Sequence, residues 1–279
     1  MRPSQVVRRA AEYLERHGVE SPVPTAERLL SHVLGTDRTG IYAREGLTSQ
    51  EAKRFGRALC RRCVGEPLQH VTGEQGFRRV ALRMRPGVFV PRPETEILLD
   101  AVLDGLATVE RPLVVDVGTG SGAVALALAD ELDEATVLAS DLSPEAVALA
   151  CENADALGIA ISVFEGDLLQ PMPAEHRGRL DAVVCNPPYV AIASRERLPA
   201  DVLAEPALAV FGGIDLYERL FEQASAWLRP GGLVAVEIEE RAADDVLAAA
   251  AREGFEDLAV RQDLTGRDRV VSGRRPSVP

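Results

Sequence analysis

The residues with the clearest chemical potential are a glycine loop and three aspartates that follow strand-like runs. Asp116-Val-Gly118-Thr119-Gly120-Ser121-Gly122 sits between the apolar run Leu113 to Val117 and a helical stretch from Ala123 to Leu132. Glycines at a strand-to-helix turn let the backbone approach a ligand and aim N–H groups at it. Gly118, Gly120 and Ala123 also satisfy G-x-G-x-x-A, a dinucleotide fingerprint that is weak alone. The acid at the strand end points elsewhere: Asp116 is unwelcome beside a pyrophosphate and suits a ligand carrying an ammonium and a sulfonium. Asp141 ends the second strand, where a carboxylate can accept both hydroxyls of a ribose. Asp167, after the third strand, is placed to accept from an adenine amino group. Singly, each aspartate fits a helix cap or a solvated loop equally well. Their joint register fits an adenosyl amino acid, so S-adenosyl-L-methionine is the expected cofactor and S-adenosyl-L-homocysteine its product, with Thr119, Ser121, Leu142 and Leu168 in the lining.

A second segment, Asn186-Pro187-Pro188-Tyr189, ends the fourth strand-like run, Asp181 to Cys185. Consecutive prolines fix φ near −65° and remove two backbone donors, leaving a stiff loop rich in outward carbonyls. The Asn186 side-chain oxygen and the Pro187 carbonyl can accept both hydrogens of one planar NH₂ group, and Tyr189 offers a face to stack on it. An amide or aryl amine nitrogen is a poor nucleophile because its lone pair is delocalised. Gripping both N–H bonds and turning that lone pair toward a methyl sulfonium supplies positioning and charge stabilisation. As isolated dipeptides, Asn-Pro and Pro-Pro are also ordinary turn punctuation.

These residues need a scaffold, and the pattern predicts one. From Leu113 onward, apolar runs alternate with helical stretches (Thr136 to Ser140, then Pro144 to Leu157; Ile161 to Phe164; Asp215 to Leu228, then Leu233 to Ile238), which predicts an α/β fold with a doubly wound, mostly parallel sheet. Upstream, Val6, Val7, Ala10, Ala11 and Leu14, then Ala26, Leu29, Leu30, Val33 and Leu34, recur at helical spacing. Pro22 and Gly35 bound the second helix, and Thr48 with Glu51 reads as a capping box. The expected organisation is a helical bundle over 1–72 that recognises the substrate, a β-hairpin connector over 73–93, a catalytic domain over 94–272 and a disordered tail over 273–279.

The chain has 279 residues and a net charge of −12, and no run is long enough to span a membrane. The charge is uneven: residues 1–85 carry 16 Arg and Lys against 9 Asp and Glu, a net +7 beside −19 for the rest. A basic helical face is more often solvated than functional, but Arg54, Arg57, Arg61 and Arg62 also fit docking of an acidic protein partner. The first residues interleave Arg with Glu and lack an apolar core, which predicts no secretory or transit leader, a cytoplasmic location and reduced thiols. Cys60, Cys63, Cys151 and Cys185, like the four histidines, show no zinc spacing, so no metal is expected; Cys60 and Cys63 read as helix residues and His70 as a packed connector residue.

With these motifs on the page, the chain resembles the HemK/PrmC family of N5-glutamine methyltransferases, which modify the glutamine of the Gly-Gly-Gln motif in peptide chain release factors. The likeness runs through Gly65 to Gly73, Phe89-Val-Pro-Arg-Pro-Glu-Thr-Glu96, the glycine loop, Asn186 to Tyr189 and Glu205-Pro-Ala-Leu208. It implies a class I, Rossmann-like methyltransferase fold. Gly118 to Gly122 and Asp141 would hold the cofactor, and Asn186 to Tyr189, the catalytic segment, would grip the glutamine amide. Phe89, Arg92 and Glu94 would lie near cofactor and substrate, although Pro93, Glu94 and Glu96 also suit a plain helix start, and Arg92 suits pairing with an acid. The stretch Phe211 to Leu216 looks shorter than the family's glycine-rich turn, and Thr25 stands where the family would have an acid. The implied partner is a release factor, bound by a monomer with no stable nucleic-acid or membrane association. The rivals are an N6-adenine methyltransferase, disfavoured by the −19 charge and the lack of a target-recognition domain, a methyltransferase for a ribosomal-protein glutamine, and an inactive adaptor, disfavoured because every motif residue is present.

Overall fold

The computed structural model describes residues 2–277, and the chain forms two compact units. The first comprises residues up to Glu74, together with Met84–Pro86 and Arg197–Glu205. It begins with α1 (Pro3–Arg16) and α2 (Pro22–Leu34), whose apolar stripes supply Leu14, Ala26, Leu29 and Leu30 to a common core. Pro22 opens α2 and Gly35 closes it with φ 62°, a left-handed conformation in which glycine carries no Cβ penalty. The short α3 (Arg38–Ala43) is capped by Asp37, which accepts from Gly40 N at 2.6 Å. In α4 (Ser49–Cys63) the capping box is complete: Glu51 N donates to Thr48 Oγ1 at 3.2 Å, and Thr48 N donates to Glu51 Oε2 at 2.7 Å. A fifth helix, α5 (Leu68–Thr72), lies at the end of the stretch expected to form the helical bundle, with His70 buried. Truncating any fully buried leucine of this core would cost about 2–5 kcal/mol, through lost transfer energy and the cavity left behind.

The second unit holds Gln75–Arg83, Gly87–Glu196 and the chain from Pro206 onward. The strands β1 (Glu74–Phe77) and β2 (Val80–Arg83) pair in a two-stranded sheet, and the Arg78 turn between them is locked in place. Arg78 donates to Asp100 Oδ1 at 2.9 Å and to both carboxylate oxygens of Glu131 at 2.9 and 2.8 Å. Then come α6 (Thr95–Leu106), β3 (Leu113–Val117), α7 (Ala123–Glu131), β4 (Thr136–Asp141), α8 (Pro144–Leu157), β5 (Ser162–Glu165) and β6 (Leu180–Cys185). After β6 the chain passes through α9 (Ala200–Leu203), which belongs to the first unit, and α10 (Ala207–Val210). It finishes with α11 (Ile214–Trp227), β7 (Leu228–Glu237), α12 (Ala243–Arg252), β8 (Glu256–Gln262) and β9 (Asp268–Arg274).

The large sheet has the order β5-β4-β3-β6-β7-β9-β8, parallel throughout except where β9 runs antiparallel to β7 and β8. This is the mostly parallel, class I methyltransferase arrangement. Its core gathers Val115, Val183, Leu220, Phe221, Val234 and Val246 between strands and helices.

Two expectations need correction. Gly273 and Arg274 are not tail residues but the end of β9, paired with Val234 and Leu233, while Val278 and Pro279 of that expected tail lie outside the described residues. The four arginines of the basic face do not act alike. Arg61 pairs with Glu66, and Arg62 reaches Asp201 Oδ2 of α9 at 2.9 Å, whereas Arg54 and Arg57 stand exposed. The cysteines are unpaired, with Cys60 and Cys63 on α4.

Candidate active site

Parallel pairing in register brings four strand ends to one edge. Asp116 of β3 lies opposite Ala139 of β4 and Val184 of β6, and Asp141 lies opposite Glu165 of β5. The chain leaves β3 toward β4 and β5, then returns to β6 on the other side of β3. That reversal opens a crevice at the carboxyl ends of the strands, the usual ligand site of open α/β sheets. The glycine loop and the Asn186–Tyr189 loop leave adjacent strands there, β3 and β6.

The glycine loop is held by its own neighbours. Gly118, Gly120 and Gly122 have φ of 70°, 58° and 84°, and a Cβ on Gly118 or Gly120 would meet nothing within 4 Å, so the backbone borders open space. Gly118 N and Thr119 N donate to Ser140 O at 2.8 and 3.0 Å. Asp116 is 1% exposed, and its Oδ2 accepts from Thr119 Oγ1 at 2.6 Å and Ala125 N at 3.1 Å. Burial pushes its carboxyl up to about 7 against those two hydrogen bonds. Asp141 Oδ2 accepts from Gly120 N at 2.8 Å and Oδ1 from Ser143 N at 2.9 Å, and burial raises its pKa as well. Leu142, next in the chain, is 52% exposed, an apolar surface presented beside that carboxylate. Ser140 Oγ donates to Leu168 O at 2.7 Å, which ties the loop after β5 to the same edge. Asp167 stands in that loop, but its Oδ2 is engaged by Arg219 and by Gln170 at 3.3 Å. The structure thus brings Asp116 and Asp141 together with the glycines and leaves Asp167 partly committed elsewhere. A buried side chain not anticipated from sequence, Asn153, bridges Ser121 O at 2.8 Å to the backbone of Arg83.

The Asn186–Tyr189 loop is held from a distance. Asn186 Nδ2 donates to Thr95 Oγ1 at 3.1 Å, at the first residue of α6, which leaves the Asn186 oxygen as an acceptor. Tyr189 Oη donates to Glu237 Oε1 at 3.2 Å, and Tyr217 Oη donates to Glu237 O at 2.9 Å. Val190 pairs with Phe211, and Gly212 lies so close beneath Pro188 that a Cβ there would fall 1.9 Å from the Pro188 carbonyl oxygen. The stretch that looked short in the sequence is therefore the floor of this loop. Upstream, the Arg92 guanidinium stacks over the Phe89 ring at 5.3 Å, and Glu94 is the residue just before α6 rather than a member of its first turn.

Thr95, Gly212 and Glu237 were not singled out from sequence. Thr95 lies inside the Phe89 to Glu96 segment, and Glu237 carries a usable signal: it is an acid near the end of the apolar run Leu233 to Ile238, where a charge must find a partner.

The PrmC N-terminal domain family matches residues 5–73, and the methyltransferase small domain family matches residues 79–256. The release factor glutamine methyltransferase of Moorella thermoacetica is 42% identical over 97% of this chain and 98% of its own. That of Deinococcus radiodurans is 41% identical over 99% of each chain. A T. Thermophilus 16S rRNA methyltransferase, solved in complex with AdoMet and guanosine, superposes with a TM-score of 0.56 at 20% identity, covering 72% of this chain and 49% of its own, and shares the fold. With near-complete coverage at that identity, the chain belongs to the release factor glutamine methyltransferase family.

Proposed function

We propose that this protein transfers the methyl group of S-adenosylmethionine to the side-chain amide nitrogen (N5) of the glutamine in the Gly-Gly-Gln motif of a peptide chain release factor, in the cytoplasm. The observation that carries this reading is the pairing of two loops at one sheet edge: an open glycine loop beside Asp141, and an Asn-Pro-Pro-Tyr loop whose asparagine nitrogen is already engaged by Thr95.

The donor set fits the proposed cofactor. Asp116, Asp141 and the exposed Leu142 offer negative charge, hydroxyl acceptors and an apolar face, and the loop has room where side chains would otherwise stand. When bound, S-adenosylmethionine supplies an electrophilic methyl group on a sulfonium. The residues of the chain do the rest. Because Asn186 Nδ2 is held by Thr95, Asn186 Oδ1 accepts one amide N–H, and the Pro187 carbonyl accepts the other. Two acceptors on one planar NH₂ fix its plane, and Tyr189 packs on its face. As the N–C bond forms and the S–C bond of the sulfonium breaks, leaving S-adenosyl-L-homocysteine, the amide proton becomes acidic and passes to water, so the clamp stabilises developing positive charge without a strong base.

The test is incubation with labelled S-adenosylmethionine and three acceptors: a release factor, its Gly-Gly-Gln glutamine variant, and an adenine-containing oligonucleotide. Label on the first alone is expected. Label on the oligonucleotide alone would replace the glutamine reading with the adenine one.

A further inference from the structure

Glu237 ends β7 and is 1% exposed, and β7 is hydrogen-bonded on both sides, to β6 and to β9, with Glu237 opposite Val270. Its main chain cannot move to relieve the carboxyl, because Tyr217 donates to the Glu237 carbonyl at 2.9 Å. One carboxyl oxygen accepts the Tyr189 hydroxyl, and the other, Oε2, is buried with no hydrogen-bond partner. Leaving a buried polar atom unsatisfied is costly, so a chain that keeps an acid here gains something other than stability. Burial raises the Glu237 pKa, and the Tyr189 hydroxyl opposes it. Thr95 is the residue that accepts from Asn186 Nδ2. The buried carboxyl therefore stands behind the Tyr189 end of the four-residue loop, whose Asn186 end is held by Thr95.

From this arrangement we propose that Glu237 is a positioning residue of the acceptor loop: through the Tyr189 hydroxyl it sets the ring and the angle of the loop whose other end Thr95 holds, while touching no reacting atom. The inference rests on the proposed glutamine methylation and adds the element that makes the clamp rigid. A loop with two prolines is stiff inside but needs an external anchor to hold its angle to the sheet, and small misplacements of a clamp cost rate far more than binding.

The experiment compares wild type, Glu237→Ala, Glu237→Gln, Tyr189→Phe and the Glu237→Ala/Tyr189→Phe double variant. In release-factor methylation, Glu237→Ala is expected to lower kcat by about 100-fold with KM within about 3-fold, and Glu237→Gln, which can still accept the tyrosine hydroxyl, to recover to within about 5-fold of wild type. The alanine loss should be clearly smaller in the Tyr189→Phe background, because part of the contact is already gone. Equal losses in the two backgrounds, or glutamine no better than alanine, would overturn the proposal. Hydrogen exchange at the Val190 amide, bonded to Val210 O at 3.1 Å, gives a readout independent of any acceptor. It should quicken about 5-fold or more in Glu237→Ala and not in Glu237→Gln. Should the alanine variant fail to fold, Tyr189→Phe carries the same exchange test, and an unchanged Val190 there overturns the proposal. If wild type labels no release factor, the functional reading fails, while the exchange result still decides the role of Glu237.

Discussion

The two loops of the candidate site reach rigidity by opposite routes. The glycine loop is secured by residues close in sequence or at the next strand end: Asp116 binds Thr119 and Ala125, and Asp141 binds Gly120. Its N–H groups at Gly118, Thr119, Gly120 and Gly122 are likewise spent within this edge, so what the loop presents is open space beside Gly118 and Gly120. The Asn186–Tyr189 loop has no N–H at its two prolines and is secured by Thr95, Gly212 and Glu237, up to 91 positions away. A cofactor pocket that serves many acceptors can be assembled locally, while an acceptor clamp must be aimed by the rest of the domain.

The contrast predicts that damage to the two loops separates in the kinetics. The largest effect is expected for Asn186→Ala, which removes one arm of the clamp: kcat falls about 100- to 1,000-fold, with S-adenosylmethionine affinity held within about 5-fold. Methylation at the normal rate would discard the amide grip. Next comes Gly212→Ala, whose methyl group would collide with the Pro188 carbonyl at 1.9 Å and push the clamp off its angle. Here kcat should fall about 10- to 100-fold, again with cofactor affinity nearly constant by isothermal titration. If cofactor affinity fell in step with kcat, the two loops would not be independent.

A pH experiment sharpens the comparison from the cofactor side. Asp116 is nearly without exposure, and burial raises its carboxyl from the ordinary carboxylate range to about 7. A carboxyl whose folded pKa is raised binds its proton more tightly in the folded state, so the stability it confers is complete below the unfolded value and is lost as pH rises toward 7. Asp116→Asn keeps an acceptor for Thr119 and Ala125 and has no charge to bury. Without cofactor, the variant should therefore melt higher than wild type at pH 8, by about 2 °C or more, with the gap closing toward pH 5. Glu237, raised to about 7 by burial, is common to both proteins and drops out of the difference. A gap that stayed constant with pH would show that Asp116 is not the group titrating.

The same local and remote contrast explains what could be read from the sequence. The capping box at Thr48 and Glu51, the Pro22 start and Gly35 stop of α2, and the alternation of β3 to β6 with α7 and α8 are short-range patterns, and each lies where the residues predict. The glycine loop was legible for the same reason. The antiparallel edge formed by β8 and β9 was not, because Glu256–Gln262 is largely exposed and becomes a strand only through pairing with β9. The anchors of the acceptor loop were equally hidden. A threonine, a glycine and a glutamate acquire their roles only when the sheet order puts β7 beside β6 and α6 against both.

The smallest expected effect tests whether the first unit belongs to the aimed part of the molecule at all. Its net positive charge suggested four arginines for an acidic partner, but Arg61 and Arg62 are occupied by Glu66 and Asp201 within their own unit. Reversing Arg62 would expose the α9 contact and destabilise that unit, so a loss of activity there says nothing about docking. Arg54 and Arg57 are exposed, and reversing them should leave the fold intact. If this face steers a release factor, Arg54→Glu with Arg57→Glu should raise KM about 3- to 10-fold at low salt, leave kcat unchanged, and lose its effect near 0.5 M salt, where screening shortens the reach of surface charge to a few ångströms. An effect that survives high salt would point to direct contact rather than steering. No effect at any salt would return both arginines to the solvent and leave substrate choice with the clamp.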